Sequence, residues 1–286
     1  MSFLEKVFYI KNSYGKKYKI INLCGLRLKF KLKKKIEPVI FPENAQEKTE
    51  IITNPETVEF KNKVATIFVG FNKDCVINEK SFEYIKALKK QSDFLILVYD
   101  NPIVLDEIEK IKTIADGIIF KRHNEYDFGS YKRGFLMLKE LGILDKVDHC
   151  LFCNDTISLS KDDDLSCVFS KLKNYDASGL TINSQGFDIK NDFDLKYFHF
   201  PHIQSFFILL SSKIFLSDWF LSFIKNIKHI DLKEEIIINY ELGLSKLIKA
   251  KGYKLNSYYP YTENVDPYRK YLDGRDIFIK KGIKLH

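Results

Sequence analysis

No stretch of this 286-residue chain is apolar for long enough to cross a bilayer as a helix, and the first residues lack the uninterrupted apolar core of a signal peptide. Both absences point to a protein that stays in the cytosol. Neither G-x-x-x-x-G-K-S/T nor G-x-G-x-x-G occurs, which excludes the two familiar glycine-rich phosphate loops. Internal repeats and low-complexity tracts are missing as well. The five cysteines, Cys24, Cys75, Cys150, Cys153 and Cys167, are too few and too scattered for a disulfide framework in a chain of this size. Cys150 and Cys153 form a lone C-x-x-C. Residues three apart on an extended strand point to opposite faces and cannot share a zinc ion, so buried free thiols are expected.

What is present is an ordinary globular composition, 45% hydrophobic and 29% charged, with the charge unevenly placed. Residues 1–35 hold eleven Lys or Arg against the single acid Glu5, a local net of +10 that leaves −2 for the other 251 residues of a chain whose total is +8. A nucleic-acid binder should carry positive charge across its folded domain, so no nucleic-acid partner is expected. Leu23-Cys-Gly-Leu-Arg-Leu-Lys-Phe-Lys-Leu-Lys33 alternates apolar and basic residues with the period of a strand. That pattern suits a basic β-hairpin leader in reversible contact with an anionic membrane surface, and equally a solvated edge hairpin whose lysines prevent aggregation. Residues 36–62, with Pro38, Pro42 and Pro55 among polar residues, read as a linker.

From residue 63 the pattern changes. Val64 to Gly70, Phe94 to Tyr99, Gly117 to Phe120 and Cys150 to Cys153 are short apolar runs rich in Val, Ile, Leu and Phe. Helical periodicity separates them near Asn78 to Gln91, Val104 to Ile114 and Asp127 to Leu141. Strands apolar on both faces, alternating with helices, imply an α/β domain over 63–286 with a mostly parallel sheet covered on each side. Ala177 to Thr181 and Ser205 to Leu210 read as further strands, and Asp218 to Ile227 and Glu234 to Lys251 as helices.

Three of these runs end in polar residues that include Asp100, Asp127 and Asp155, and ligands of open α/β sheets sit at the carboxyl ends of strands. Asp100, before Asn101-Pro102, is set at a turn from which it can accept hydrogen bonds from a ribose or a base. In Asn124-Glu-Tyr-Asp-Phe-Gly-Ser-Tyr-Lys-Arg-Gly134, Asp127 or Ser130 can cap a helix and Gly129 can let backbone approach a ligand. Lys132 and Arg133 in its first turn oppose the helix dipole unless a phosphate is near or water screens them. Asn154-Asp155-Thr156 is a hard-oxygen set suited to Mg²⁺ or Mn²⁺ completed by diphosphate oxygens and water. Glu241, read as opening a helix, is a candidate base for an acceptor hydroxyl, although the helix dipole also favours Glu there without catalysis. His199 and His202 flank Pro201 before an apolar strand. His202 can meet a phosphate or a metal, Gln204 sugar hydroxyls, and Phe71 just past the first strand joins the donor-binding set. Trp219, Phe220 and Phe223 have the spacing of core residues.

The order strand, Tyr-Asp-Asn101, strand, Asn124-x-x-x-x-Gly-Ser-Tyr131 with Asp127 inside it, strand, Asn-Asp-Thr156, then His202-Ile-Gln-Ser-Phe-Phe207 and Asn239-Tyr-Glu-Leu-Gly-Leu-Ser245 resembles the rhamnan synthesis protein F family of bacterial polysaccharide glycosyltransferases over roughly 63–260. More distantly it is similar to the nucleotide-diphosphosugar transferase (GT-A) fold, whose fourth strand ends in an Asp-x-Asp metal motif. Here Asn154-Asp155-Thr156 supplies one acid where that motif supplies two. The resemblance implies a GT-A-like domain in which Asp100 faces the nucleoside, Asn124 and Asp127 the donor sugar and diphosphate, and Asp155 the metal.

The implied activity is transfer of a sugar, rhamnose by the family's suggestion, from a nucleoside-diphosphate sugar to a hydroxyl of a surface glycan such as O-antigen, capsule or rhamnan, or a lipid-linked precursor. Such a protein is expected in the cytoplasm, peripherally on the inner face of the inner membrane if the leader docks there. Two alternatives stay open: a sugar-phosphate transferase or nucleotidyltransferase, and a non-catalytic, membrane-associated partner of a polysaccharide assembly complex.

Overall fold

The computed structural model describes residues 8–12, 18–23, 26–31, 39–159, 165–191, 194–259 and 278–280. The rest of the expected leader, with Cys24, and most of the expected domain's end beyond residue 259 lie outside the described residues.

Three strands, β1 (Phe8–Asn12), β2 (Tyr18–Leu23) and β3 (Leu26–Lys31), form a separate antiparallel meander, one strand more than a hairpin. The main sheet has eight strands. In chain order they are β4 (Lys48–Ile51), β5 (Val64–Gly70), β6 (Phe94–Tyr99), β7 (Gly117–Phe120), β8 (His149–Asn154), β9 (Ala177–Gly179), β12 (Phe207–Ser211) and β13 (Leu255–Ser257). Between β9 and β12 lie the two strands of an antiparallel hairpin, β10 (Ile182–Ile189) and β11 (Leu195–Ile203). Across the sheet the order is β13-β9-β12-β8-β5-β6-β7-β4. Only β12 and β4 run against the others, so the sheet is mostly parallel as expected.

The stretch read as a linker contributes β4, paired antiparallel with β7 from Lys48↔Phe120 to Ile51↔Gly117. Its sequence, KTEI, is short and polar because an edge strand needs no second apolar face.

Helices α1 (Glu79–Gln91), α2 (Leu105–Lys112) and α4 (Ser166–Leu172) cover one face, and α3 (Tyr126–Glu140) and α5 (Asp218–Lys225) the other. Every residue of β5 is buried, and alternation divides them: Ala65, Ile67 and Val69 pack with Phe128, Phe135 and Phe220, whereas Val64 and Phe68 pack with Tyr84, Ile85 and Leu88. At about 1.5–3 kcal/mol for each large apolar side chain buried, these two layers dominate the folding energy. Gly134 lets α3 lie close to the sheet, since a Cβ there would sit 2.5 Å from Cγ2 of Ile67. Cys150 and Cys153 fall into opposite layers and are free thiols whose pKa values burial raises, as their spacing predicts.

The last helical segment is continuous but composite: α6 (Lys233–Ile236), a π-helical stretch Ile237–Leu242, and α7 (Gly243–Ala250). Among the described residues no helix is long and apolar enough to cross a membrane.

Candidate active site

From β5 the chain lays β6 and β7 on one side, then places β8 on the other side of β5, so the sheet changes winding direction between β5 and β8. The carboxyl ends of the two strands flanking such a switch point border a crevice. Asn154 pairs in register with Val69, and the Asp155 N–H donates to the Val69 carbonyl at 3.2 Å. Gly70 and Phe71 therefore end beside Asn154 and Asp155.

Asp127, in the first turn of α3, crosses to this edge, where its Oδ2 accepts the Asn154 side-chain amide at 2.7 Å. Its pKa is pushed from 3.8 up to about 6. Burial is the main cause, opposed by the Asn154 hydrogen bond; the charges of Asp155 and Glu241 raise it further and that of Lys233 lowers it. Two carboxylates remote in sequence, Asp155 and Glu241, thus lie within electrostatic reach of Asp127.

Glu241 does not open a helix. It lies in the π-helical stretch inside the composite helix, so the macrodipole is no reason for an acid there. Rare π segments occur disproportionately at functional sites. Oε2 accepts the Ser205 N–H at 2.9 Å, and Oε1 lies 3.4 Å from His202 Nε2. Burial alone would raise the Glu241 pKa, but the bonds from His202 and Ser205 outweigh it and hold the carboxyl below its usual value. His202 Nδ1 donates to the Phe200 carbonyl at 2.9 Å, the role left to a ring nitrogen facing a carbonyl oxygen. Tyr131 of α3 donates its hydroxyl to the Ser205 carbonyl at 2.8 Å, and Gln204 is buried with its amide oxygen accepting from Thr181 at 2.8 Å. The 202–206 turn is thereby pinned against the crevice. His202 is the penultimate, buried residue of β11 on the extended hairpin, whereas His199, earlier on that strand, is exposed.

Asp100 holds a loop together. Its Oδ1 accepts the backbone N–H groups of His123 at 2.6 Å and Asn124 at 3.0 Å, and its Oδ2 pairs with Arg122 Nη1 at 3.0 Å. Arg122 also lies over the half-exposed Phe71 ring, 4.9 Å from the centroid. In this loop Asn124 and Tyr126 adopt left-handed backbone, φ 60° and 56°. Asn tolerates that region; a bulky Tyr does so only where its surroundings enforce it. His123 Nδ1 accepts the Glu125 N–H at 3.1 Å, leaving Nε2 to donate to Ser130 at 2.9 Å. Burial, aided by the Arg133 and Arg122 charges and opposed by Glu125, lowers the His123 pKa to about 4 and keeps the ring neutral.

The basic pair of α3 is spoken for within the protein. Lys132 Nζ donates to the Ile227 carbonyl at 2.7 Å, and Arg133 pairs with Glu125 at 2.6 Å while also donating to the Gly129 carbonyl. A Cβ on Gly129 would collide with the Glu125 side chain, so this glycine makes room for that ion pair. Lys233 is the cation whose charge acts on Asp127, and Arg122 is held by Asp100; neither stood out in the sequence. Arg122 follows a strand end directly and Lys233 starts a helix, positions that are visible in the pattern but chemically unremarkable without the fold.

A divalent cation finds a partial donor set. The Asn154 amide oxygen accepts the Thr156 N–H at 2.9 Å and its nitrogen faces Asp127, so the hard-oxygen trio reduces to Asp155 with the Asp127 carboxylate near it. Among the described residues no three His, Cys, Asp or Glu side chains are grouped to hold a metal. One carboxylate completed by substrate phosphates and water is a usual way of binding Mg²⁺, and Asp155 fits that pattern.

Comparison with known proteins adds a family. The model of the family described as Rhamnan synthesis protein F matches residues 95–274. An uncharacterized protein of Sinorhizobium fredii (strain NBRC 101917 / NGR234), y4gN, is 25% identical over 185 residues, covering 63% of this chain; the chain spans 45% of that relative's length. Among solved structures, a 4-diphosphocytidyl-2C-methyl-D-erythritol synthase from Anaerococcus prevotii DSM 20548 aligns at 12% identity with a TM-score of 0.44, covering 71% of this chain and 91% of that one. Core-mannan synthase A from Aspergillus fumigatus, in an Mn/GDP form, aligns at 10% identity with a TM-score of 0.34, covering 76% and 80%.

Proposed function

The chain belongs to the rhamnan synthesis protein F family, and from that premise we propose that it is a glycosyltransferase moving a sugar from a nucleoside-diphosphate donor to a hydroxyl of a bacterial surface polysaccharide. The observation that carries the reading is the convergence of Asp127, Asp155 and Glu241 at the carboxyl ends of the strands flanking the switch point. Rhamnose as the sugar, and rhamnan, O-antigen or capsule as the product, rest on the family alone.

Within this reading the nucleoside stacks on Phe71 beside Arg122. Asp155, completed by diphosphate oxygens and water, would hold a Mg²⁺ or Mn²⁺ ion, which would neutralise charge on the departing diphosphate. The acceptor oxygen attacks the anomeric carbon, the bond from that carbon to the diphosphate oxygen breaks, and the acceptor proton passes to a carboxylate. Asp127 suits that last role better than Glu241. Its pKa of about 6 lies close to working pH, where a general base is most effective, whereas both oxygens of Glu241 already hold the turn that closes the crevice. Glu241 and His202 position the acceptor side through Ser205.

Thermal shift with a panel of nucleoside diphosphates, each with and without Mn²⁺, tests the proposal. The expected result is stabilisation by at least one nucleotide, enhanced by Mn²⁺, with the enhancement absent in Asp155→Ala. Absence of any nucleotide effect would instead favour the non-catalytic partner, and an enhancement that survives Asp155→Ala removes that residue from the site.

A further inference from the structure

The meander β1 to β3 presents an apolar strip to the outside. On β3 the alternate residues Leu26, Leu28 and Phe30 are 63%, 43% and 48% exposed, and no other described strand presents more than one large hydrophobic side chain in this way. Pairing extends the strip across β2, since Leu28 lies opposite Ile21 and Phe30 opposite Lys19. The intervening residues of β2, Ile20 and Asn22, point to the other face and are buried. The apolar strip is therefore the outward side of the meander.

The surrounding charge selects the partner. Residues 1–35 carry a net +10, so two copies docking by this face would bring two strongly cationic segments together. A nucleic-acid backbone would match the charge but leave three large apolar side chains in water. A surface that accepts apolar side chains and rewards lysine at its border is an anionic bilayer. We propose that the face of β3 bearing Leu26, Leu28 and Phe30 docks on anionic lipid, with Lys19 and the basic residues of the segment drawn to headgroups. This inference stands apart from the transferase reading, because it uses none of the crevice residues.

The test is flotation of the full chain with vesicles of phosphatidylcholine alone or of phosphatidylcholine and phosphatidylglycerol in equal parts. The wild-type chain is expected to float with the anionic vesicles only, and less at high salt. Leu28→Ser with Phe30→Ser should lower partitioning at least about tenfold. Lys19→Gln, which leaves the apolar strip intact, should lower it about fivefold. Nucleotide-induced thermal shifts should stay unchanged in both variants, which shows that the variants are folded and separates this result from the crevice chemistry. Equal flotation with neutral vesicles, or no loss in either variant, overturns the proposal. So does a dimer seen by ultracentrifugation that the Leu28→Ser, Phe30→Ser variant abolishes in a chain that does not float, which would assign the strip to a second copy.

Discussion

The side-chain amide of Asn154 donates to Oδ2 of Asp127 at 2.7 Å, joining the residue that ends β8 to the first turn of α3 across the crevice. That bond fixes the amide of Asn154: its oxygen takes the Thr156 N–H, and its nitrogen is left to orient the carboxylate. Asp127 is therefore aimed by a neutral neighbour, and its raised pKa comes mainly from lost water rather than from its partner.

Asp127→Asn separates function from stability. The carboxyl titrates near 3.8 in the unfolded chain and near 6 in the folded one, so the fold prefers it protonated. That preference is fully present below about pH 4, is lost as pH rises toward 6, and leaves the ionised form as a cost above it. The variant should be more stable than wild type by about 1–3 kcal/mol at pH 7.5 and no more stable at pH 3.5, by chemical denaturation. Sugar transfer should fall by about 10²–10⁴-fold. A variant equally stable at both pH values would place Asp127 in contact with water instead.

Glu241 carries the opposite sign. Its folded pKa lies below the unfolded 4.5, so its contribution is present above that value and is lost as pH falls through the folded value. Glu241→Ala leaves the Ser205 N–H and His202 without their partner and should cost about 1–3 kcal/mol at neutral pH, shrinking in acid. Glu241→Gln keeps an oxygen for the Ser205 N–H but replaces the carboxylate that His202 Nε2 faces with a neutral amide, so part of that stability should return. If Glu241 positions the turn rather than taking the proton, Glu241→Gln retains transfer within about tenfold and its pH–rate profile keeps the limb set by Asp127. Loss of that limb would move the base to Glu241.

The sheet centre was legible in the sequence because β5 to β8 are predominantly apolar, and three of these four runs give way to polar residues that include an acid, a pattern that buried parallel strands impose. The rest was hidden for identifiable reasons. Lys48–Ile51 is a polar edge strand among prolines, where propensity carries little signal. The hairpin of β10 and β11 mixes Phe, His and Lys without a two-residue Asn-Gly or Asp-Gly turn, so its alternation is weak. The helix read from Glu234 to Lys251 already encloses Glu241, so that periodicity itself contradicts its reading as a helix opener; only the π-helical stretch around it is hidden, because the pattern assumes 3.6 residues per turn. The cations of α3 failed differently: Lys132 and Arg133 are adjacent, yet a helix turns them to separate partners, Ile227 and Glu125.

Close packing of α3 on β5 makes a stability prediction independent of the site. Gly134→Ala places a methyl group against Ile67 where two heavy atoms would be 2.5 Å apart, so helix or sheet must shift. The expected cost is about 1–3 kcal/mol, despite the better helix propensity of alanine. Ile67→Ala in the same chain should recover part of it, since it removes both Cγ2 and Cγ1, the atoms the added methyl meets. A double-mutant cycle with no coupling would mean that the backbone absorbs the methyl elsewhere.

Phe71 and Arg122 give the sharpest handle on the donor. The ring is 44% exposed at the end of β5, and the guanidinium above it is held by both the carbonyl and the carboxylate of Asp100. An exposed ring backed by a tethered cation is a stacking platform for a base, and stacking contributes about 1–3 kcal/mol by alanine substitution. Phe71→Ala should therefore weaken nucleoside-diphosphate binding by roughly five- to a hundredfold in calorimetry, with little change in melting temperature because the ring covers no core. Arg122→Lys keeps the charge but loses the planar guanidinium that lies over the Phe71 ring and reaches Asp100, so it should weaken binding and also loosen the 122–124 loop. The two variants are thus distinguishable: Phe71→Ala acts on affinity alone, Arg122→Lys on affinity and on proteolytic protection of the loop. Unchanged affinity in Phe71→Ala would place the base elsewhere along the crevice.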